Sequence, residues 1–126
     1  AAVRPATRVI GVEPAGVPKL SAALAAGAPT RIARAESLAD GLLPVAVGHL
    51  PFAHFRGLVG QAVQVTDDQL VQAVRFLHHE MGLRVEPSGA ATVAALLAGQ
   101  ARPSGPTVAI VSGGNVDPEL FQRLVN

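Results

Sequence analysis

The stretch of the sequence most suggestive of chemistry is a serine followed by two glycines near its end. Four apolar residues, Val108–Val111, run directly into Ser112, Gly113 and Gly114. The two glycines remove side-chain bulk, so a flat ligand can approach the backbone. A hydroxyl both donates and accepts hydrogen bonds, so Ser112 can meet an unprotonated heteroaromatic nitrogen without charging it. The alternative is a glycine-rich turn between a strand and a helix, in which the small polar residues act only as caps.

A serine at the end of a strand is well placed for ligand binding in an open parallel sheet, because ligands bind there beyond the carboxyl ends of the strands. The sequence predicts a buried strand at Thr107–Val111, directly before Ser112. A second run of β-branched residues predicts a buried strand at Arg8–Val12, and a shorter strand is predicted at Ala62–Val65. We therefore expect Ser112 at the carboxyl edge of a small sheet.

Helices are predicted between and after these strands. The clearest is Asp67–Met81, where Thr66 and Gln69 have the capping-box spacing and Gly82 ends the helix. The remaining helices are predicted at Pro18–Ala26, Pro51–Val59, Pro87–Ala98 and Pro118–Val125, the last with Asp117 as its N-cap. This alternation predicts an α/β fold with an open parallel-sheet layer and flanking helices. Two or three strands are too few to stand alone, so we expect the layer to be incomplete.

The composition bounds the class of protein. A chain of 126 residues fits one domain, and with four Phe as its only aromatic residues its core must be built mainly from Ala, Val and Leu. Ten basic and nine acidic residues leave a net charge of +1 without a basic run, which argues against nucleic acid or an anionic membrane as a partner. The sequence has no cysteine, no apolar run of membrane-spanning length and no signal-peptide pattern at its start, so we expect a cytoplasmic protein.

Five motifs occur in one order along the chain. They are V-I-G-V-E-P at Val9–Pro14, L-A-D-G-L at Leu38–Leu42, V-T-D-D-Q-L at Val65–Leu70, V-E-P-S-G-A-A at Val85–Ala91 and V-S-G-G-N-V-D at Val111–Asp117. The set resembles the C-terminal part of the fold-type-II pyridoxal-phosphate enzymes, specifically their threonine/serine dehydratase and serine racemase branch. The resemblance covers essentially the whole chain and implies an incomplete tryptophan-synthase-β-like fold.

The resemblance implies roles for four residues at a pyridoxal-phosphate site. Ser112 is similar to the family serine that hydrogen-bonds the pyridine nitrogen of the cofactor, and Gly113 leaves room beside it. Gly41 is similar to the glycine whose backbone lies over one face of the ring. Glu86 is similar to the carboxylate near the far edge of the ring. For Glu86 the alternative is that it only favours the dipole of the helix that follows it.

The implied reaction is β-elimination from threonine or serine, which yields a 2-oxo acid and ammonia. In the family the Schiff-base lysine and the glycine-rich phosphate loop lie upstream of these motifs, and neither is present here. Lys19 is the only lysine, and it lies on a segment that has another role in the family. We therefore expect residues 1–126 to be the C-terminal portion of the catalytic core, inactive without the absent N-terminal portion. No regulatory domain is expected to follow, which favours the catabolic form.

The resemblance also implies a cation site, which this chain alters. In racemases and many dehydratases of the family, a glutamate at the position of Glu13, the carbonyl at the position of Val17 and an acidic residue at the position of Lys19 hold Mg²⁺ or Ca²⁺. A lysine there removes an oxygen ligand and adds a positive charge, so we expect no metal and predict that the ammonium takes over the role of the ion beside Glu13. The alternative is that both residues are solvated surface charges.

The expected partners follow from the incomplete sheet. We expect the absent N-terminal portion, an amino-acid substrate and further copies of the chain as partners, because sheet edges and apolar faces would otherwise stay uncovered. Three alternatives stay open: a serine racemase, a dehydratase for another β-hydroxy amino acid, and a non-catalytic fragment that only oligomerises.

Overall fold

The computed structural model describes residues 6–126, and its centre is a two-stranded parallel sheet. Strand β1 (Val9–Pro14) pairs with β2 (Val59–Val65) along its whole length, with one irregularity in the register near its start. Helix α2 (His49–Leu58) runs directly into β2. The parallel pairing confirms the α/β fold, although β2 begins three residues earlier than the sequence predicts.

Helices lie on both faces of the sheet. Ile10 and Val12 of β1 pack toward the main core, whereas Gly11, which points to the other face, lies against α1 (Lys19–Ala26). A Cβ atom at Gly11 would lie 2.5 Å from Cδ2 of Leu20. The missing side chain therefore lets α1 cross closely over β1.

The main core lies on the other face, around helices α3 (Asp67–His79) and α4 (Pro87–Leu97). The capping box at the start of α3 is confirmed, because the Thr66 hydroxyl accepts from the Gln69 N–H and the Gln69 side chain accepts from the Thr66 N–H. Helix α4 packs against the sheet and against α3, and its small residues are buried on several sides, as the sequence predicts. The largest fully buried side chains of this core are Leu70, Leu77, Val65 and Val74.

The last helix, α5 (Pro118–Val125), is held at both ends. Asp117 is its N-cap as predicted, since its carboxylate accepts from the Leu120 N–H at 2.8 Å. At the other end, the Arg75 Nε of α3 donates to the Leu124 carbonyl at 2.7 Å. A cation at the carbonyl end of a helix is electrostatically favourable, so this contact joins α5 to α3.

The prediction of a buried strand at Thr107–Val111 is wrong. Within residues 6–126 this segment pairs with no strand, and Val108 and Ile110 are 88% and 70% exposed. Only Ala109 packs toward the core. The apolar run has the composition of a strand, but a strand forms only where a neighbour satisfies its backbone hydrogen bonds.

None of the helices between residues 6 and 126 has both the length and the hydropathy needed to cross a bilayer.

Candidate functional site

The turn that carries Ser112 packs directly on the backbone of α4. A Cβ atom added to Gly89 would lie 1.5 Å from the carbonyl oxygen of Ser112 and 2.8 Å from that of Gly113. No side chain fits in that space, so glycine at position 89 lets the turn lie against the first turn of the helix. Further along, the Thr92 hydroxyl donates to the Ile110 carbonyl at 2.8 Å. The segment before Ser112 is thus fixed to α4, although it belongs to no strand.

The Glu86 carboxylate lies over Gly113. Gly113 has φ +75°, and a Cβ atom there would lie 2.3 Å from Oε1 of Glu86, so both its backbone conformation and its surroundings require glycine. The Glu86 N–H donates to the Gly113 carbonyl at 3.2 Å. Glu86 occupies the N-cap position of α4, but its side chain makes no capping hydrogen bond. The half-buried carboxylate therefore faces the turn rather than the N–H groups of the helix.

Gly41 is held against the first turn of α4 from a short 3₁₀ helix at Asp40–Leu42. Its N–H donates to the Ser88 hydroxyl at 3.0 Å and to the carboxylate of Asp40 at 2.8 Å. Ser88 also donates to Asp40 at 3.4 Å. No role for Ser88 is predicted from the sequence, although the residue lies within V-E-P-S-G, directly after the proline that begins α4.

A carboxylate of α3 anchors the chain just before Gly41. The side chain of Asp67, the first residue of α3, accepts a hydrogen bond from the Ser37 hydroxyl and another from the Leu38 N–H at 3.1 Å. The sequence predicts Asp67 only as the first residue of the helix. Because this contact joins residues about thirty positions apart, it could not be found from local spacing.

The four residues predicted for the cofactor site thus meet around the start of α4. Gly41 contacts Ser88, Ser112 contacts Gly89, and Glu86 contacts Gly113. Gly41, Ser112 and Gly113 are exposed residues. A neutral hydroxyl, a carboxylate and two glycines suit a flat heteroaromatic ligand whose ring nitrogen stays unprotonated.

Glu13, at the carboxyl end of β1, is the one charged side chain buried within residues 6–126, with 3% of its surface exposed. Its Oε2 accepts from the Leu20 N–H at 2.6 Å, and its Oε1 accepts from the Ser21 N–H at 2.9 Å and from the Ser21 hydroxyl. The carboxylate therefore neutralises the positive end of α1. The alternative that Glu13 is a solvated surface charge is wrong.

Lys19 joins this buried carboxylate to the turn that carries Gly41. Its Nζ donates to the carbonyl of Leu42, the last residue of the 3₁₀ helix. Burial lowers the pKa of Lys19 below its ordinary value of 10.5, and the nearby charge of Glu13 offsets only part of that effect. The ammonium thus lies near Glu13 but makes its hydrogen bond to a backbone carbonyl.

The lowered pKa of Lys19 predicts how stability depends on pH. Between its folded-state pKa and about pH 10.5, the unfolded chain binds more protons than the folded chain, so the free energy of unfolding should rise with pH. The sequence has no tyrosine, no cysteine and no second lysine, so no other side chain titrates in this interval. We expect Lys19→Met to abolish the rise in urea unfolding measured from neutral pH to about pH 10.5. An identical rise in the variant would assign it to another group.

The residues around Glu13 do not fit a divalent cation. Both carboxylate oxygens already accept from donors at the start of α1, and the Val17 carbonyl accepts from the Lys19 N–H at 2.8 Å. Position 19 contributes an ammonium where a hard cation needs an oxygen ligand. Among residues 6–126, no three acidic or histidine side chains are grouped as metal ligands.

The parallel sheet and its flanking helices define the class as an α/β protein, and the exposed Ser112 and Gly113 lie beside the Glu86 carboxylate at the start of α4. The family model for pyridoxal-phosphate dependent enzymes matches residues 1–113. The chain therefore belongs to the family of pyridoxal-phosphate dependent enzymes, and the match includes all four residues of the candidate site.

Relatives agree with this assignment. The chain is 38% identical over 114 residues to a biosynthetic L-threonine dehydratase of Mycobacterium leprae. The matched residues make up 88% of the chain and 26% of that protein. It superposes on the T.th. threonine deaminase with a TM-score of 0.87 at 33% identity, over 92% of the chain and 43% of that structure. Maize serine racemase gives a TM-score of 0.84 at 31% identity, over 97% of the chain and 39% of that structure. The chain thus spans about a quarter of the first relative and about two fifths of the two structures.

Proposed function

We propose that the chain forms the C-terminal portion of the catalytic core of a pyridoxal-phosphate dependent threonine/serine dehydratase. The observation that carries the proposal is the meeting of Gly41, Glu86, Ser112 and Gly113 around the start of α4. Relatives named threonine dehydratase and threonine deaminase support the choice of reaction. The reaction removes the β-hydroxyl of the amino acid and releases a 2-oxo acid and ammonia.

The residues of this chain would hold the ring of the cofactor. The Ser112 hydroxyl would hydrogen-bond the pyridine nitrogen, and the backbones of Gly41 and Gly113 would allow close approach to the ring. Glu86 would lie beside its edge. When bound, pyridoxal phosphate supplies the electron-withdrawing group that acidifies the α-carbon of the substrate. A neutral donor such as Ser112 leaves the ring nitrogen uncharged, which limits that withdrawal and favours elimination over side reactions.

The proposal requires a second portion of polypeptide for catalysis. Lys19 is the only lysine of the sequence, and its ammonium is engaged with Leu42 beside the buried Glu13. It is therefore a poor candidate for the lysine that binds the cofactor covalently. We propose that this lysine and the phosphate-binding groups belong to the N-terminal portion, and that residues 1–126 are inactive without it.

The proposed function is tested in a chimera in which residues 1–126 replace the superposing part of the T.th. threonine deaminase. We expect the chimera to convert threonine or serine to the 2-oxo acid.

The Ser112 variants of this chimera test the role of the hydroxyl. Ser112→Ala should lower the turnover number about tenfold, the effect of one lost hydrogen bond of about 1.4 kcal/mol. Ser112→Asp should increase side products, and Ser104→Ala, a change at an exposed serine away from the site, should have no effect. Unchanged turnover and product ratios in both Ser112 variants would contradict the assignment.

A serine racemase is the second candidate, because the maize enzyme superposes almost as well as the deaminase. The same chimera distinguishes the two activities when both 2-oxo acid and D-serine are measured from L-serine. We expect 2-oxo acid to dominate, and a predominance of D-serine would replace the dehydratase by the racemase. Self-association of residues 1–126 without any activity in the chimera would favour the non-catalytic alternative.

We further propose that Lys19 supplies a built-in positive charge where relatives of this branch are expected to bind a divalent cation. The proposal rests on the occupied oxygens of Glu13 and on the contact of Lys19 with Leu42. Calorimetric titration with Ca²⁺ or Mg²⁺ should show no binding to the unchanged chain. Lys19→Asp should bring binding into about the millimolar range, and Lys19→Ser, which only removes the charge, should bind more weakly. Binding of either ion to the unchanged chain would contradict the proposal.

A further inference from the structure

Arg84 is a charged side chain that hydrogen-bonds the backbone just beyond Ser112. Its Nη2 atom donates to the carbonyl of Val116 at 2.7 Å. The same guanidinium lies over the ring of Phe121 in α5, with Cζ 5.4 Å from the ring centroid. A hydrogen bond from a charged donor is stronger than a neutral one, and an aromatic face attracts a cation within about 6 Å. Arg84 therefore joins the residues that follow Ser112 to α5.

The backbone of Arg84 also lies against the turn that carries Ser112. We name residues 112–116 the serine turn. A Cβ atom added to Gly114 would lie 2.8 Å from the carbonyl oxygen of Arg84, so the two backbones are in close contact. Two residues later, the Glu86 N–H donates to the Gly113 carbonyl at 3.2 Å. The chain from Arg84 to Glu86 thus runs alongside the serine turn in the opposite direction.

The serine turn depends on such outside contacts because its own residues fix it poorly. Gly113 and Gly114 carry no side chain, and glycine has more accessible backbone conformations than any other residue. Within the described part of the chain, no side chain other than that of Arg84 donates a hydrogen bond to the backbone of the serine turn. The position of the turn, and with it that of the Ser112 hydroxyl, therefore depends on Arg84.

Phe121 gives the guanidinium of Arg84 a fixed surface. Only 5% of Phe121 is exposed, and the ring of His78 in α3 packs against it in a T-shaped arrangement with the centroids 5.1 Å apart. A planar guanidinium can donate hydrogen bonds in its plane while its face lies on an aromatic ring, which the ammonium of a lysine cannot do. Arg84 thus ties the serine turn to the packed pair of helices α3 and α5.

We infer that Arg84 is a positioning residue, which holds the Ser112 hydroxyl where it meets the ring nitrogen of the cofactor. The inference rests on the proposed function, in which Ser112 makes that contact. Arg84 acts through the backbone, because its donor atom reaches Val116, four residues beyond Ser112. A hydrogen bond weakens once its donor and acceptor are more than about 3.2 Å apart or are misaligned. Loss of Arg84 therefore weakens the same contact that is removed with the Ser112 hydroxyl.

The test compares Arg84 variants in the chimera described above, with and without the Ser112 hydroxyl. Arg84→Met keeps an apolar chain beside Phe121 but removes the donor, whereas Arg84→Lys keeps a charged donor. We expect Arg84→Met to lower the turnover number about fivefold, less than Ser112→Ala, because the hydroxyl is displaced rather than lost. In the Ser112→Ala chimera the same change should have no further effect, since changes at residues that serve one contact are not additive. Arg84→Lys should regain about half of the lost turnover.

A second measurement reports on the serine turn without any activity. The Glu86 amide donates to Gly113, so its hydrogen exchange shows whether the turn stays in place. In the chimera without cofactor, Arg84→Met should accelerate this exchange about threefold. The control is Arg56→Met, a change at an exposed arginine of α2, which should alter neither the exchange of Glu86 nor the turnover.

The inference would be overturned by unchanged exchange of Glu86 in Arg84→Met or by unchanged turnover in that variant. An equal loss of turnover with and without the Ser112 hydroxyl would also overturn it, because Arg84 would then support only the fold. If Arg84→Met does not fold, Arg84→Lys decides by the same comparison, with its smaller loss confined to the chimera that has the hydroxyl. A chimera without activity would reject the proposed function, and the exchange of Glu86 would still decide whether Arg84 holds the serine turn.

Discussion

Replacing Gly89 by alanine is expected to lower the free energy of unfolding by about 3 kcal/mol, the upper end of the usual cost of overpacking. The added Cβ atom would lie 1.5 Å from the backbone oxygen of Ser112, which cannot turn away as the end of a flexible side chain can. Buried small residues on several sides fix α4, so the turn of Ser112 must move instead. The substitution should therefore damage both stability and the candidate site.

The matched control is Gly57→Ala, since Gly57 also lies in a helix and nothing lies within 4 Å of a Cβ atom built there. Alanine favours helix over glycine, so this control should raise stability by up to about 1 kcal/mol. Urea unfolding followed by circular dichroism measures both variants on the same scale. If Gly89→Ala proved as stable as the unchanged protein, the close packing of α4 against Ser112 would be refuted.

The features that the sequence predicts well are those with local causes. The capping box of Thr66 and Gln69 and the N-cap at Asp117 depend on residues three positions apart, and both are present. The parallel α/β layer also follows from the order of apolar and helical segments, and it is confirmed. Local patterns thus predicted most elements, with their ends shifted by a few residues.

The prediction of a strand at Thr107–Val111 is wrong for a physical reason that cannot be seen in the residue pattern of the segment. Apolar and β-branched composition shows that a segment can pair, but pairing needs a second backbone at the right distance. In this structure the space beside the segment is a hollow of about 930 Å³ between it and β1, and no strand of residues 6–126 lies in it. The apolar pattern therefore describes the preference of the segment, whereas its pairing depends on a neighbouring strand that residues 6–126 do not supply.

The contacts that hold the candidate site in place also could not be predicted from the sequence. Ser88 and Lys19 reach the turn of Gly41 from positions 47 and 23 residues away. Neither distance has a periodicity that could be recognised. Family resemblance proposed which residues meet at the ring of the cofactor, whereas the structure adds the side chains that hold the Gly41 turn in place.

Removal of the buried carboxylate of Glu13 is the second large effect that we expect. Glu13→Ala should lower the free energy of unfolding by about 2–4 kcal/mol, because it leaves the N–H groups of Leu20 and Ser21 and the Ser21 hydroxyl without their acceptor. It also removes the negative charge near Lys19, whose burial then has no electrostatic compensation. Hydrogen exchange of the Leu20 and Ser21 amides should accelerate in parallel.

Glu36→Ala is the control for the loss of a glutamate that is not buried. Glu36 pairs with Arg34 at 2.6 Å, but both side chains are mostly exposed, so its loss should change stability by at most about 1 kcal/mol. The difference between the two variants isolates the effect of burial and helix capping from that of charge. Equal stabilities would mean that water replaces the Glu13 carboxylate at the start of α1. The contact of Lys19 with Leu42 would then be the main support of the Gly41 turn on this side.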